Sequence, residues 1–350
     1  MIILISPTQS IEIVLGQLAT TPIVSTRNHF DHDTGELQSG QTSTGYVASA
    51  NIPGLQPGTN CPSEVAIYIH GIWVGTNSLE NPAELFDRAK KSIAANNYNI
   101  SLIGFSWDSD TKISLDGTGW LAAKLIAKEN GPKLAQFVSD YKNRCQATDI
   151  RLIAHSMGTR VLLSGLDGLY KNQGWNNKNF KIVSAHVMGA AVDNEEIANS
   201  PSYIINNPSV MLDVDEWYDA YGIKSAYGNA IEAEVVKFYN LFNREDNSLE
   251  APRLYKFYEQ DDALGLQEAP GDIPSVLNYE DIDVEDQIAF IEDADGDGDC
   301  DLPISTPFGL VCTIEDIGDN HFGYVGFRDT NGALIDDGAM NVVTDKWNNP

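Results

Sequence analysis

The stretch that decides the fold is "RLIAHSMGTRVLLSGL", residues 151–166. Apolar residues run up to Ser156, and apolar residues at helical spacing run away from it. A strand that turns directly into a helix needs a sharp corner. Ala154 and Gly158, two residues to either side of Ser156, are small enough to allow one. Small-x-Ser-x-Gly at such a junction is the nucleophile-elbow pattern, in which a strained turn pushes the hydroxyl out beyond the strand end. The N-terminus of the following helix favours negative charge developing there. An inert serine at a tight junction has the same local pattern, so the rest of the chain must decide.

Working outward, the alternation repeats. Residues 64–71 (EVAIYIHG), 99–110 (NISLIGFSWDSD), 149–156, 180–193 (FKIVSAHVMGAAVD) and 234–243 (EVVKFYNLFN) are short apolar runs that predict five buried strands. Helical spacing is found in 81–97, in 119–145 with a break expected near Gly131-Pro132, and in 157–172. Strands alternating with helices predict an α/β fold with a mostly parallel sheet covered on both faces. Residues 1–60, rich in Thr, Ser, Gly and Pro, predict edge strands and loops. Two segments depart from the alternation, 195–233 and 250–318, and are expected to be insertions on a single domain spanning 1–350.

Composition limits the partners. The chain carries a formal charge of −28, and residues 257–327 hold nineteen of the fifty acidic residues and no Lys or Arg. Nucleic acid binding needs clustered cations, so it is not expected. No apolar run is long enough for a membrane-spanning helix. The N-terminal stretch lacks the basic region and continuous apolar core of a signal peptide.

A nucleophilic serine needs a base, and the six histidines allow a search by elimination. His29 and His32 lie in the polar N-terminal stretch, His70 ends a strand, and His155 lies inside the elbow beside the serine, directed elsewhere. His186 sits mid-strand and is expected to be a core residue. Only His321 follows the serine in a late, glycine-flanked loop, as the order Ser, acid, His of this elbow requires. The acid that orients the imidazole should follow a later strand. Asp246 after the fifth run is preferred, with Asp193 after the fourth and the neighbouring Glu245 as alternatives. An oxyanion hole needs two convergent backbone N–H groups. Met157 supplies one, and Ile72 or Trp73 after the first strand the other.

These motifs resemble those of α/β-hydrolases, in the serine esterase and lipase-like branch. The matching pieces are His70-Gly71, "FSWDS" (105–109), "AHSMGTRV" (154–161), the Asn-x-x-Asp-x-x-Leu segment from Asn243 to Leu249, and His321 followed by Tyr324. They span about 64–250 and the segment around 321. Asp108 departs from the pattern, where proline is commoner. The resemblance implies an α/β-hydrolase fold and carboxylic ester hydrolysis through an acyl-enzyme, with a small-molecule ester as substrate and no cofactor in the chemistry. A lipase or acyltransferase with the same triad is the nearest alternative. A catalytically inactive, calcium-stabilised binding protein is the alternative outside enzymes.

In that sheet the strands at 64–70 and 150–155 are parallel neighbours, which brings Cys61 and Cys145 to one edge and makes a disulfide plausible. Cys300 and Cys312 would then close a second, short loop; buried thiols are the alternative for all four. "DADGDGDCD" (293–301) places Asp293, Asp295, Asp297, Asp299 and Asp301 at alternate positions, as in a calcium loop, although position 12 is Ile304 instead of Glu. A structural Ca²⁺ is therefore expected, against the alternative of a solvated acidic turn. The aromatics Tyr203, Trp217, Tyr218, Tyr221 and Tyr227 in 195–233 suggest a cap over an apolar pocket or plain core packing. Disulfides point to an extracellular or cell-envelope location; a cytoplasmic one is the alternative. The sequence does not define the oligomeric state.

Overall fold

A computed structural model of the chain describes residues 21–56, 58–75, 81–111, 118–203, 224–246, 248–250, 262–269, 278–288, 304–306, 309–311, 321–328 and 333–349. Eight strands form one sheet: β1 (Ile23–Ser25), β2 (Val47–Ala48), β3 (Glu64–Ile69), β4 (Ser101–Ser106), β5 (Asp149–His155), β6 (Ile182–Met188), β7 (Val235–Phe242) and β8 (Tyr279–Asp283). Their order is β2-β1-β4-β3-β5-β6-β7-β8, and only the edge strand β2 is antiparallel to its neighbour. The five sequence-predicted strands are β3 to β7. The short pair β1–β2 fulfils the expectation of edge strands before residue 60.

The helices that flank the site's strands are α1 (Pro82–Ala95), α2 (Thr118–Arg144) and α3 (Gly158–Tyr170). Among the described residues three more follow: α4 (Gln173–Asn176), α5 (Gly228–Glu234) and α6 (Met340–Asn348). Strand side chains alternate between faces, and β3 shows where each face goes. Val65, Ile67 and Ile69 pack into the core under α2 and α3, with Phe137, Val161 and Leu162. Ala66 and Tyr68 pack on the other face with Phe86 and Ala89 of α1 and Trp347 of α6. Both faces are thus covered, which is why the strand carries apolar residues at successive positions.

Two expectations are corrected. Helix α2 runs unbroken through Pro132. Proline at 132 lacks the N–H that would bond the carbonyl of Lys128, and the Ser164 hydroxyl of α3 donates to that carbonyl at 2.7 Å instead. Gly131 leaves the space for this close approach, since a Cβ there would collide with Ser164. The second correction concerns 250–318, expected as an insertion. Within it Tyr279–Asp283 forms β8, parallel to β7 with Asn240 opposite Asp281.

Cys61 and Cys145 form a disulfide with Cα atoms 5.5 Å apart, just before β3 and just after α2. The parallel pairing of β3 with β5, Glu64 opposite Asp149, sets that edge. Cys300 and Cys312 lie outside the described residues. Asp108, the departure from the motif after β4, is buried and has a structural task. Its carboxylate accepts the backbone N–H groups of Asn28, His29 and Phe30 at 2.7, 2.7 and 2.9 Å, fastening the N-terminal segment over the end of β4. Among the described residues, no helix is long and apolar enough to cross a membrane.

Candidate active site

Ser156 sits between β5 and α3 with φ at +55°, the left-handed region that a serine rarely adopts. Such a conformation costs on the order of 1–3 kcal/mol and persists only where its surroundings enforce it. Here the Ser156 N–H donates to Met188 O at 2.9 Å, and the Ser156 carbonyl accepts from Thr159 and Ala191 at 3.0 and 3.2 Å. The small flanking residues are explained by what surrounds them. A Cβ on Gly158 would lie 2.5 Å from the His70 carbonyl oxygen at the end of β3. Ala154 is fully buried in the core. The first turn of α3 then starts immediately behind the serine, at Gly158.

His321 opens a short 3₁₀ turn, His321–Val325, and is buried. Its Nδ1 lies 2.7 Å from Asp246 Oδ2, and the Tyr324 hydroxyl approaches the same oxygen at 3.4 Å. The other carboxylate oxygen accepts the backbone N–H groups of Ser248 and Leu249, each at 3.1 Å. Asp246 is fully buried on the loop after β7, so each of its oxygens is held. Gly189, at φ +51°, lies under this pair, and a Cβ there would meet Tyr324 at 2.8 Å and Asp246 Oδ2 at 3.1 Å.

The two alternative acids are elsewhere. Asp193 pairs with Lys224 Nζ at 3.2 Å and caps the 3₁₀ turn Asn194–Ile197. Glu245 is exposed.

One cleft is lined by Ser156, His321, Gly71, Ile72 and Trp73. Val74, Leu85, Phe322 and Val325 give it apolar walls, and Arg88, His155 and Ser248 complete it. Elements far apart in sequence therefore meet: the elbow, the loop after β3, and the turn at 321. The Trp73 N–H donates to Ser109 O at 3.0 Å and its indole to Thr111 O at 3.1 Å.

His155 was missed as a contributor. It lines the cleft with the serine, its Nε2 is 2.8 Å from the His321 carbonyl, and the two rings are 4.7 Å apart. A carbonyl only accepts, so Nε2 carries the proton. Burial, with His321 adding to it, holds His155 well below the usual imidazole range, so it is neutral. A histidine adjacent to a candidate nucleophile and facing a late loop was the available signal. His186 is a core residue as expected, stacked on Tyr239 and accepting from the Trp347 indole at 2.8 Å. Burial pushes it down to about 3.

Of the five aromatics expected in a cap, Tyr227 is buried in the core before α5, which is the packing alternative. Trp217, Tyr218 and Tyr221 lie outside the described residues, as does the side chain of Tyr203. Asp293, Asp295, Asp297, Asp299 and Asp301 also lie outside them. Among the described residues no cluster of His, Cys, Asp or Glu is arranged to hold a metal.

A mostly parallel eight-stranded sheet, with a serine on a left-handed turn after β5 and an Asp–His pair on later loops, defines the α/β-hydrolase fold. Residues 58–256 match the family described as alpha/beta hydrolase of unknown function (DUF900), and the chain belongs to that family. Among solved structures it is similar to lipase B of Aspergillus fumigatus, at 10% identity and a TM-score of 0.32, over 68% of this chain and 47% of that one. This chain therefore spans about half the length of that lipase. It is also similar to the esterase Est2 of Thermogutta terrifontis, at 9% identity and a TM-score of 0.31, over 63% and 71% of the two chains. The catalytic core of acetyl xylan esterase from Trichoderma reesei matches at 12% identity and a TM-score of 0.26, over 64% and 84%. No curated protein matched the chain.

Proposed function

We propose that the chain is a carboxylic ester hydrolase acting through Ser156, His321 and Asp246 and an acyl-enzyme intermediate. The observation that carries this reading is the buried Asp246–His321 pair, 2.7 Å apart, beside a cleft that Ser156 also lines. A carboxylate accepting from Nδ1–H leaves Nε2 as the basic nitrogen. In the proposed reaction Ser156 Oγ attacks the ester carbonyl as His321 Nε2 takes its proton. The imidazolium, held by Asp246, returns that proton to the departing alkoxide, so the alcohol leaves and the acyl group stays on Ser156. Water then enters by the same steps, releasing the acid and restoring the hydroxyl.

The oxyanion formed in both halves is assigned to the N–H groups of Met157 and Ile72. Trp73, the other candidate, already directs its N–H to Ser109. The start of α3 behind Ser156 favours the same negative charge. The apolar walls from Ile72, Val74, Leu85, Phe322 and Val325 suit an acyl chain or aryl group.

None of these steps requires a cofactor. The alternating aspartates from Asp293 to Asp301 are proposed to hold a Ca²⁺ with a structural task. The Cys61–Cys145 disulfide supports an extracellular or cell-envelope location.

The test is hydrolysis of a p-nitrophenyl ester series, from acetate to palmitate, by the wild type and Ser156→Ala, each with and without Ca²⁺. Wild-type turnover is expected, with kcat falling on the order of a million-fold in the variant. The acyl-length profile separates esterase from lipase. Equal rates in the two proteins would reject the reading.

A further inference from the structure

Behind the 71–75 loop lies a cluster that the proposed steps do not use. It centres on Arg27, two residues past β1 and outside the family-matched residues 58–256. Its guanidinium makes four contacts. Nη1 meets Asp110 Oδ2 at 2.5 Å, and Nε donates to Ser106 Oγ at 2.9 Å. Nη2 donates to the Val74 carbonyl and lies 3.3 Å from His70 Nε2. His70 is buried at the end of β3 and stacks on Trp107.

These contacts dictate the tautomer of His70. A guanidinium only donates, and so does the Trp107 backbone N–H, which reaches the same Nε2 at 3.2 Å. Nε2 is therefore the acceptor and the proton sits on Nδ1. Nδ1 lies 2.7 Å from the Gly71 carbonyl oxygen, which only accepts. Burial and the Arg27 charge both disfavour a second proton on the ring.

The Gly71 carbonyl and the Ile72 N–H are the two ends of one planar trans peptide and point in opposite directions. Anchoring the carbonyl on His70 turns the Ile72 N–H to the opposite side. Gly71 and Ile72 line the cleft with Ser156, and a Cβ on Gly71 would lie 2.8 Å from Ser156 Cβ. The next residues are clamped as well. Trp73 is held at φ +58° by its bonds to Ser109 and Thr111, and Ser109 Oγ bonds both the N–H and the carbonyl of Val74. A bulky residue at positive φ is strained, and it persists because its neighbours over-determine it.

We propose that Arg27 is a positioning residue for the oxyanion-binding peptide Gly71–Ile72, acting through His70, whose tautomer it sets together with the Trp107 N–H. The inference rests on the ester-hydrolase reading above. It assigns the segment before residue 58 a share in the chemistry: Arg27 never touches substrate but aims the donor that does.

Two measurements test it. In Arg27→Met, kcat for p-nitrophenyl butyrate should fall about 10- to 100-fold, part of the loss seen when an oxyanion donor is removed outright. KM should stay within about three-fold, because the donor matters more to the oxyanion than to the ground-state ester. Added guanidinium ion should restore part of the rate, which a merely structural role would not predict. The second measurement needs no variant. ¹⁵N NMR of the His70 ring in the wild-type protein should show the proton on Nδ1 and a bare Nε2. Wild-type turnover unchanged by Arg27→Met, or a proton found on Nε2, would overturn this inference alone. A wild type inert toward every ester would overturn it together with the ester reading. Should Arg27→Met fail to fold, Arg27→Gln takes its place, read by the same kcat, KM and guanidinium rescue.

Discussion

The two halves of the candidate site are built in opposite ways. Ser156 belongs to a continuous strand–turn–helix from 149 to 170, almost wholly buried, and its corner is fixed by backbone bonds to β6 and to the residues following it. His321 arrives late, on a five-residue 3₁₀ turn, where the Asp246 carboxylate holds its ring and the His155 ring holds its backbone carbonyl. The first half is local and enforced by packing. The second is assembled by pairings across long stretches of chain. Damage to the packing of the elbow around Ser156 should therefore appear first as lost stability, and damage to the histidine half first as lost rate.

Among changes that leave the Ser156 hydroxyl in place, the largest expected effect falls on the second half. Asp246→Asn removes the charge that steadies the imidazolium and scrambles the preference for Nδ1–H. We expect kcat to fall on the order of 10⁴-fold. A loss under about ten-fold in steady-state kinetics, with the fold intact by circular dichroism, would break the comparison.

Acid should strike next, and at both halves. His70, His155 and His186 are buried and held neutral, with pKa values below the ordinary imidazole value. Below about pH 6.5 the unfolded chain binds protons that the folded one refuses, so stability falls as pH drops. The loss is about 1.4 kcal/mol per pH unit for each histidine. His186 ceases to add to it near pH 3, where its folded form also protonates. Urea unfolding at pH 7.5, 6.5 and 5.5 measures the slope, and His186→Phe should flatten it by about one proton's worth. An unchanged slope in that variant would show that His186 is not held neutral.

The smallest effect sharpens the first half. Gly158→Ala puts a Cβ 2.5 Å from the His70 carbonyl, so the end of β3 must shift. Overpacking of this kind costs about 1–3 kcal/mol. A fall in Tm with part of the activity retained is expected, read by calorimetry and ester hydrolysis on the same sample. Full stability with no activity would reverse the contrast between the halves.

This contrast also explains what was legible in the sequence. The elbow is contiguous, so its periodicity and small residues identify it directly. His321 could be reached because only six histidines exist, of which order eliminates four and a mid-strand position eliminates His186. β8 was missed because Tyr-Glu-Asp-Ile-Asp carries three acids in five residues, the composition of a solvated stretch. As the terminal strand in the sheet order, it tolerates charge that a central strand would not. Pro132 suggested a break because its remedy, the Ser164 hydroxyl, lies on another helix. Arg27 was invisible for the same reason: it acts on a ring and a carbonyl supplied from elsewhere, and such pairings leave no local pattern, whereas His155 offered only its adjacency to the serine. The Cys61–Cys145 pair was legible only through the strand order that the family resemblance supplied.

The most direct measurement is labelling of the intact chain with a fluorophosphonate, followed by peptide mass spectrometry. The account predicts a single adduct, on Ser156, formed rapidly in the wild type and slowly in His321→Ala. An adduct on another residue, or no adduct in the folded wild type, would contradict it.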